Sequence, residues 1–216
     1  MPHILTAALI AATLSSVSCT QSTTVQQYGR MRDVLRMGNT QPRVTLSHVV
    51  SKPGSIAVGA LAGLGGEITI IDGDVWVARS RAGNAVVTGP TVHHGDQATL
   101  LTVAYVSRWV DVPLPNGASS NELDAVIANA ARSAGVDTTK PFPFIIDGDL
   151  LQVEAHVIEG SCPIANPSGE PPWRLSRPAS APGLLVGFYA EVAEGVMTHH
   201  GSPLHAHAVP ICYCRA

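Results

Sequence analysis

The sequence predicts an α+β protein of two related β-rich halves, with mixed sheets and a few helices. Most of the chain consists of short apolar runs separated by glycine-containing turns, a pattern typical of strands. Helical periodicity is confined to a few segments. The pentapeptide Ile-Ile-Asp-Gly-Asp occurs at residues 70–74 and again at 145–149, which indicates related halves; a hairpin signal that recurs by chance is the alternative.

The predicted N-terminal half covers residues 23–115. Its first helix, over residues 28–37, carries an apolar face and ends at Gly38. A shorter helix is expected over residues 46–50. Strands are predicted over residues 55–62, 67–71, 74–79 and 99–106. Asp72-Gly73 predicts a tight hairpin between the second and third of these strands, because both residues tolerate a positive φ.

The predicted C-terminal half covers residues 116–216. A capping box formed by Ser119 and Glu122 predicts the start of a helix that ends at Gly135. Asp147-Gly148 predicts a second hairpin. Strands are predicted over residues 143–146, 149–158, 184–190 and 204–209. The prolines within residues 165–182 predict a long surface loop.

Composition narrows the function classes. The 216 residues are 45% hydrophobic and only 13% charged, which argues against a disordered chain. The formal net charge is −3, and the 13 basic residues form no run, so we expect no nucleic-acid partner. A small neutral or anionic substrate or a protein partner stays open, including a homodimer.

The N-terminal segment resembles an export signal. Residues 4–14 form an apolar run that is long enough for a signal-peptide core and too short to span a bilayer. Small residues precede Cys19, a position at which a lipid would give the only membrane attachment. We therefore expect residues 1–22 to be a signal peptide, or a lipoprotein signal with a tether, and the protein to be periplasmic or lipid-anchored. A buried N-terminal helix in a cytoplasmic protein is the alternative.

The other cysteines leave two interpretations open. In an exported protein, Cys162 could pair with Cys212 or with Cys214. The sequence does not decide between these pairings. The Cys-x-Cys motif could instead bind a metal together with nearby histidines.

The closing histidines are the strongest candidates for a metal site. Four of the nine histidines fall within residues 199–207. On a strand, His205 and His207 point to one face about 6–7 Å apart, so that both imidazoles can reach one ion. Neutral histidine suits zinc. The alternative is a surface pair of histidines, and the neighbouring His199 and His200 favour the metal.

Glu67 is the candidate catalytic carboxyl group. It follows the glycine-rich corner Leu64-Gly65-Gly66 and opens an apolar strand, where a carboxyl group can be directed inward. An exposed carboxylate at a strand end is the alternative. His156 lies on a predicted strand, where a structural role is the simpler interpretation.

The order of these motifs resembles the bacterial acetolactate decarboxylases. Residues 44–73, including the corner before Glu67, are similar to the N-terminal signature of the family. Residues 183–188, followed by Glu194-Gly195 and by His205-Ala206-His207, are similar to its C-terminal part. The resemblance implies a two-part fold with a zinc site between the parts, two zinc-ligating histidines at 205 and 207, and an active-site acid at Glu67. The implied reaction converts 2-acetolactate, a 2-hydroxy-3-keto acid, to acetoin and CO2.

The sequence departs from the family at two places in the site. The family has a third zinc-binding histidine beyond the pair and an arginine after the second hairpin, and residues 151–156 contain no arginine. His199 or His200 could supply the missing ligand, and His156 could contact the substrate carboxylate. These three are the substrate-binding candidates.

The departures leave two alternatives to the lyase. One is a catalytically impaired family member that serves as a metal- or small-ligand-binding protein. The other is an interaction module, which the absence of a basic patch disfavours.

Overall fold

The computed structural model describes residues 9–10, 16–19, 23–81, 84–91, 95–115, 117–119, 122–151, 153–160, 173–177 and 180–210. In chain order the strands and helices are β1 (Leu9–Ile10), β2 (Ser16–Cys19), β3 (Gln26–Tyr28), α1 (Met31–Met37), β4 (Val44–Thr45), α2 (Leu46–Val50), β5 (Ser55–Leu61), β6 (Glu67–Ile71), β7 (Asp74–Arg81), β8 (Asn84–Thr91), β9 (Gln97–Tyr105), β10 (Val110–Pro113), β11 (Ala118–Ser119), α3 (Leu123–Ser133), β12 (Phe142–Leu150), β13 (Val153–Val157), β14 (Trp173–Arg177), β15 (Ala181–Tyr189) and β16 (Leu204–Pro210). A short 3-10 turn, Ala62–Leu64, lies between β5 and β6.

Two seven-stranded sheets form the two parts of the fold. The N-terminal sheet has the order β3-β9-β5-β6-β7-β8, with β4 also paired to β9. In the C-terminal sheet, β12 is central, with β2 and β1 on one side and β15 followed by β16 on the other. The prediction of a β-rich α+β fold with a few helices is therefore confirmed. Every pair of these described strands is antiparallel, so the expectation of mixed sheets is wrong.

The two copies of Ile-Ile-Asp-Gly-Asp adopt different structures. The first forms the predicted hairpin between β6 and β7, with Asp72 at φ 48° and Gly73 at φ 88°. The predicted hairpin at the second copy is wrong, because Asp147 and Gly148 lie inside β12 and pair continuously with β15. On the opposite edge, β12 also pairs with β2. Pairing along both edges of the strand overrides the local turn preference.

Helix boundaries differ from the predictions for identifiable reasons. The first helix begins at Met31 rather than at residue 28, because Gln26–Tyr28 pair with β9 as β3. It ends at Gly38, in the left-handed conformation, as predicted. Only half of the capping box forms before α3: Glu122 accepts hydrogen bonds from Ser119, at 2.7 Å from Oγ and 3.4 Å from the backbone nitrogen.

One further segment differs from the sequence-based expectation, and another lies within the predicted export signal. Residues 173–177 lie in the predicted proline-rich loop but form β14, which pairs with β13. Ser16–Cys19 form β2 between β10 and β12, and the export prediction is not tested by this placement. No helix of the described residues is long and apolar enough to cross a membrane. Cys162, Cys212 and Cys214 lie outside the described residues.

Alternating faces of the strands bury apolar side chains in several clusters. One cluster joins the inner faces of the two sheets: Ile56, Val58, Ala104, Val106, Val186, Phe188 and Val209. A second cluster covers the outer face of the N-terminal sheet beneath α2. A third packs α3 on the C-terminal sheet around Phe142 and Phe144. The space between the inner faces also contains the candidate site.

Candidate active site

A glycine-rich corner positions Glu67. Gly66 has a φ of 142°, and a Cβ atom there would lie 2.3 Å from the carbonyl oxygen of Ala78, so only glycine fits. The Leu61 N–H donates to the Gly66 carbonyl at 2.9 Å and closes the corner. The chain therefore enters β6 with the Glu67 side chain directed between the sheets, where 14% of it is exposed.

Strand β16 positions His205 and His207 on one side, as the alternation predicted. The two imidazole centroids lie 5.1 Å apart with the rings nearly perpendicular. His207 pairs with Val186 and His205 with Phe188 in the register of β15 and β16. Close approach of these strands requires Gly187, since a Cβ atom there would lie 2.5 Å from the His205 carbonyl oxygen. The pair is thus built into the edge of the C-terminal sheet.

Contacts across the interior join the two sheets at Glu67. Its Oε2 lies 3.6 Å from Nε2 of His207. Its Oε1 accepts a hydrogen bond of 3.3 Å from the backbone N–H of Ile158. Nδ1 of His207 lies 3.1 Å from the Thr69 hydroxyl oxygen, so both nitrogens of this imidazole face a named polar group.

Burial shifts the proton equilibria of these groups in opposite directions. It raises the pKa of Glu67 to about 8, and the hydrogen bond from Ile158 opposes this only in part. Burial lowers the pKa of His207 to about 4. Burial also lowers the pKa of His205 well below its usual range, and His207 and His199 act in the same direction. Around neutral pH, the contact of Glu67 with His207 therefore joins a carboxylic acid to a neutral imidazole.

Of the three substrate-binding candidates, the structure brings two to this site. The His199 ring lies 5.9 Å from the His205 ring, centroid to centroid. Burial lowers the pKa of His199, with His156 contributing in the same direction. His156 lines the same cavity from β13. His200 does not line it: its side chain is 57% exposed and lies 3.9 Å from Glu194.

The loop that presents His199 is anchored at the start of α1. Backbone N–H groups of Met31 and Arg32 donate to the carbonyls of Val196 and Gly195 at 3.0 and 2.9 Å. N–H groups in the first turn of a helix have no acceptor within the helix, and here the carbonyl groups of the loop accept their hydrogen bonds. The same hydrogen bonds hold the loop against α1. His199 is therefore held beside His205 by backbone contacts.

These groups line one cavity of about 390 Å³. Its polar side chains come from Glu67, Thr69 and the histidines at positions 156, 199, 205 and 207. Much of the remaining wall is aliphatic or aromatic and comes from both sheets, from α1 and from β13. Among the described residues, no lysine or arginine lines it.

Comparison with solved structures decides the fold. The alpha-acetolactate decarboxylase of Bacillus subtilis strain 168 matches with a TM-score of 0.62 and 17% identity, over 86% of this chain and 75% of that one. The acetolactate decarboxylase of Bacillus subtilis subspecies spizizenii matches with a TM-score of 0.66 and 18% identity, over the same shares. This chain has the acetolactate decarboxylase-like fold.

A third match shares that fold. It is a Staphylococcus aureus protein of unknown function similar to alpha-acetolactate decarboxylase, with a TM-score of 0.66 and 14% identity over 86% of this chain and 75% of that one. Neither the protein-family models nor the curated protein sequences gave a match. Of these comparisons, only the one between structures therefore detects the similarity to acetolactate decarboxylases.

The cavity contains nitrogen donors of the kind that binds zinc. Nδ1 of His205 is buried and has no hydrogen-bond partner among the described residues, which leaves it free to bind a ligand. His199, His205 and His207 are held in the neutral form that binds metal. No three histidine, cysteine, aspartate or glutamate side chains of the described ranges are already arranged around one ion.

The sequence analysis did not identify two groups of the candidate site, Thr69 and the backbone N–H of Ile158. Thr69 lies two residues after Glu67 on the same face of β6, so the strand alternation that placed Glu67 could have found it. The Ile158 N–H contacts Glu67 from a strand end that is 91 residues away in the chain, and no local pattern signals that contact.

Proposed function

We propose that this protein is a zinc-dependent carboxy-lyase that converts 2-acetolactate to acetoin and CO2. The observation that carries the proposal is the buried Glu67 carboxyl group, 3.6 Å from His207 in a cavity that also contains His199 and His205. The fold supports it, because it is shared with acetolactate decarboxylases.

His205 and His207, with His199 as the third candidate, would hold the metal. A bound zinc ion would supply Lewis-acid stabilisation of the negative charge that develops on substrate oxygen. In the tautomer in which Nδ1 of His207 donates to Thr69, the lone pair of Nε2 is directed into the cavity.

Glu67 would supply the proton. The bond between the carboxylate carbon and C2 breaks, and its electron pair moves into the neighbouring carbonyl group to give an enediolate. Glu67 then protonates C2 and becomes a carboxylate, and the products are acetoin and CO2. With its pKa raised to about 8, Glu67 carries the required proton at neutral pH and regains it from solvent.

The test is acetoin release from 2-acetolactate by the full chain supplied with zinc. We expect turnover in the wild type and a loss of about 100-fold or more in Glu67→Gln, which keeps the side-chain shape and cannot give up a proton. Glu191→Gln makes the same chemical change at an exposed residue and should leave the rate unchanged. A Glu67→Gln variant as active as the wild type would exclude the proposed acid.

A second candidate function is metal or small-ligand binding without catalysis. The observation that favours it is that no lysine or arginine of the described residues lines the cavity, where the carboxylate of 2-acetolactate would need a cationic partner. Zinc bound at unit stoichiometry without acetoin release would establish this alternative.

Export and assembly belong to the same proposal. We infer a periplasmic or Cys19-anchored protein from the N-terminal sequence. Cell fractionation with mass spectrometry of the N-terminus tests the location. Light scattering tests for the homodimer.

A further inference from the structure

One row of side chains crosses the inner face of the N-terminal sheet. Glu67 lies directly opposite Ala60 on one neighbouring strand and opposite Ala78 on the other. Ala60 in turn lies opposite Leu100, and Ala78 opposite Val87. Directly paired residues share a face, so the row runs Leu100, Ala60, Glu67, Ala78, Val87. All five line the cavity, and Glu67 is the single polar member of the row.

The row extends from Glu67 in two directions, and we call these its two arms. The two arms differ in how tightly their side chains are packed. Leu100 is 3% exposed and Ala60 1%, because both are packed in the cluster that includes Met31 and Leu35. On the other arm, Ala78 is half-buried and Val87 is 42% exposed. The apolar surface available to a ligand therefore lies on the arm toward Val87.

Trp76 and Ala85 widen this available arm. Trp76 lies opposite Thr69, two residues before Ala78 on the same face of β7. Ala85 lies two residues before Val87 on the same face of β8, and both Trp76 and Ala85 line the cavity. With strands about 4.8 Å apart, the arm extends about 10 Å from Glu67. We define these four residues, Trp76, Ala78, Ala85 and Val87, as the apolar arm.

The cavity is larger than 2-acetolactate needs. At about 30 Å³ per non-hydrogen atom, the share of a water molecule in the liquid, the roughly nine such atoms of that substrate fill at most about 270 Å³. Of the 390 Å³, about 120 Å³ remains, which is room for about four methylene groups. An alkyl chain in this remaining space would remove apolar surface of the chain and of the cavity wall from water, which favours binding.

We propose that the apolar arm binds the C2 alkyl group of a 2-hydroxy-3-keto acid, and that this group is about four carbons longer than the C2 methyl group of 2-acetolactate. This inference rests on the proposed function. The reacting end lies at Glu67 and the histidines, and the chain lies over Ala78 toward Val87. Each methylene that leaves water tightens binding by about fourfold, from about 0.8 kcal/mol per methylene. Over four methylenes the gain is about 200-fold.

The test separates binding from turnover. Binding is measured with 2-hydroxy-2-alkyl acids that lack the keto group and cannot decarboxylate, from methyl to pentyl, added to the full chain with zinc. Quenching of tryptophan fluorescence reports the Kd, and loss of the signal in Trp76→Phe assigns it to the apolar arm. Turnover is measured as CO2 release from the corresponding 2-hydroxy-3-keto acids.

We expect Kd to fall about fourfold per added carbon up to pentyl and kcat/KM to rise in parallel. Ala85→Leu fills part of the arm and should abolish the gain for the longest chains. Ala125→Leu, the same change at an exposed position of α3, should preserve it.

A Kd that is flat or rises with chain length, with acetolactate still turned over, overturns the apolar arm and leaves the proposed function standing. A Kd that falls with chain length without any CO2 release supports the apolar arm and excludes the lyase. Equal gains in Ala85→Leu and wild type would place the alkyl chain elsewhere and overturn the proposal.

Discussion

Glu67→Gln should stabilise the zinc-free protein, and the gain should grow with pH. Glu67 has a pKa of about 8 in the folded protein against 4.5 for the unperturbed group, because burial disfavours the carboxylate. The folded state thus binds a proton that the unfolded chain releases between pH 4.5 and 8. Stability falls as pH rises through this window, and glutamine, which does not ionise, escapes the loss.

The size of this loss of stability follows from the difference between the pKa values of Glu67 in the folded and unfolded states. The shift of about 3.5 pH units corresponds to a full loss of about 5 kcal/mol. The loss is about 1 kcal/mol at pH 5 and about 4 kcal/mol at pH 8, where half of the folded molecules are still protonated. The two proteins differ only at residue 67, so the comparison isolates the contribution of this side chain.

Urea unfolding of chelator-treated protein at pH 5 and pH 8 measures the difference. The free energy of unfolding of Glu67→Gln should exceed that of the wild type by about 3 kcal/mol more at pH 8 than at pH 5. Glu191→Gln should follow the wild type at both values, because this carboxyl group is exposed. An equal advantage for Glu67→Gln at both pH values would refute the reasoning that burial holds Glu67 in its neutral form.

Three other predictions concern the ligand set and the core. His205→Ala and His207→Ala should each lose stoichiometric zinc binding in titration calorimetry, while His200→Ala, outside the cavity, should retain it; loss of zinc in His200→Ala would contradict this assignment. Thr69→Val should weaken zinc binding by about 10-fold or more, since the hydroxyl group orients His207, and an unchanged affinity would exclude that role. Phe188→Ala should lower the free energy of unfolding by about 3–5 kcal/mol in urea, because the ring is fully buried between the sheets; a loss below about 1 kcal/mol would contradict its place in the core.

Local sequence patterns predicted those parts of the site that depend on one strand or one turn. Alternation along β16 put His205 and His207 on one side, and the glycine corner before Glu67 indicated a side chain directed inward. Both depend on backbone geometry within a few residues. The contact between Glu67 and His207 joins residues 140 positions apart, so it follows only from how the two sheets pack.

The repeated pentapeptide shows why local sequence did not predict the other parts of the fold and the site. Its first copy forms a hairpin, because β6 and β7 are adjacent in the sheet and pair directly. Its second copy is held extended in β12, where Phe144 and Ile146 are fully buried against α3 and β15 pairs along the whole strand. A turn there would expose those two side chains and break the ladder. The difference between His199 and His200 was also not predictable locally. The two are neighbours in the loop after β15, but only His199 lines the cavity.

The opposite pKa shifts have one physical origin, and that origin suits a decarboxylation. Burial favours the uncharged form of Glu67, His205 and His207, so Glu67 keeps its proton and His207 stays without one. In the proposed reaction, loss of CO2 followed by protonation would turn an anionic substrate into two uncharged products, and the negative charge would pass to Glu67. Because the pKa of Glu67 lies near 8, a proton from solvent returns that charge to zero at neutral pH and restores the acid for the next cycle. The same burial that destabilises the folded protein above pH 4.5 therefore prepares the proton that the proposed reaction consumes.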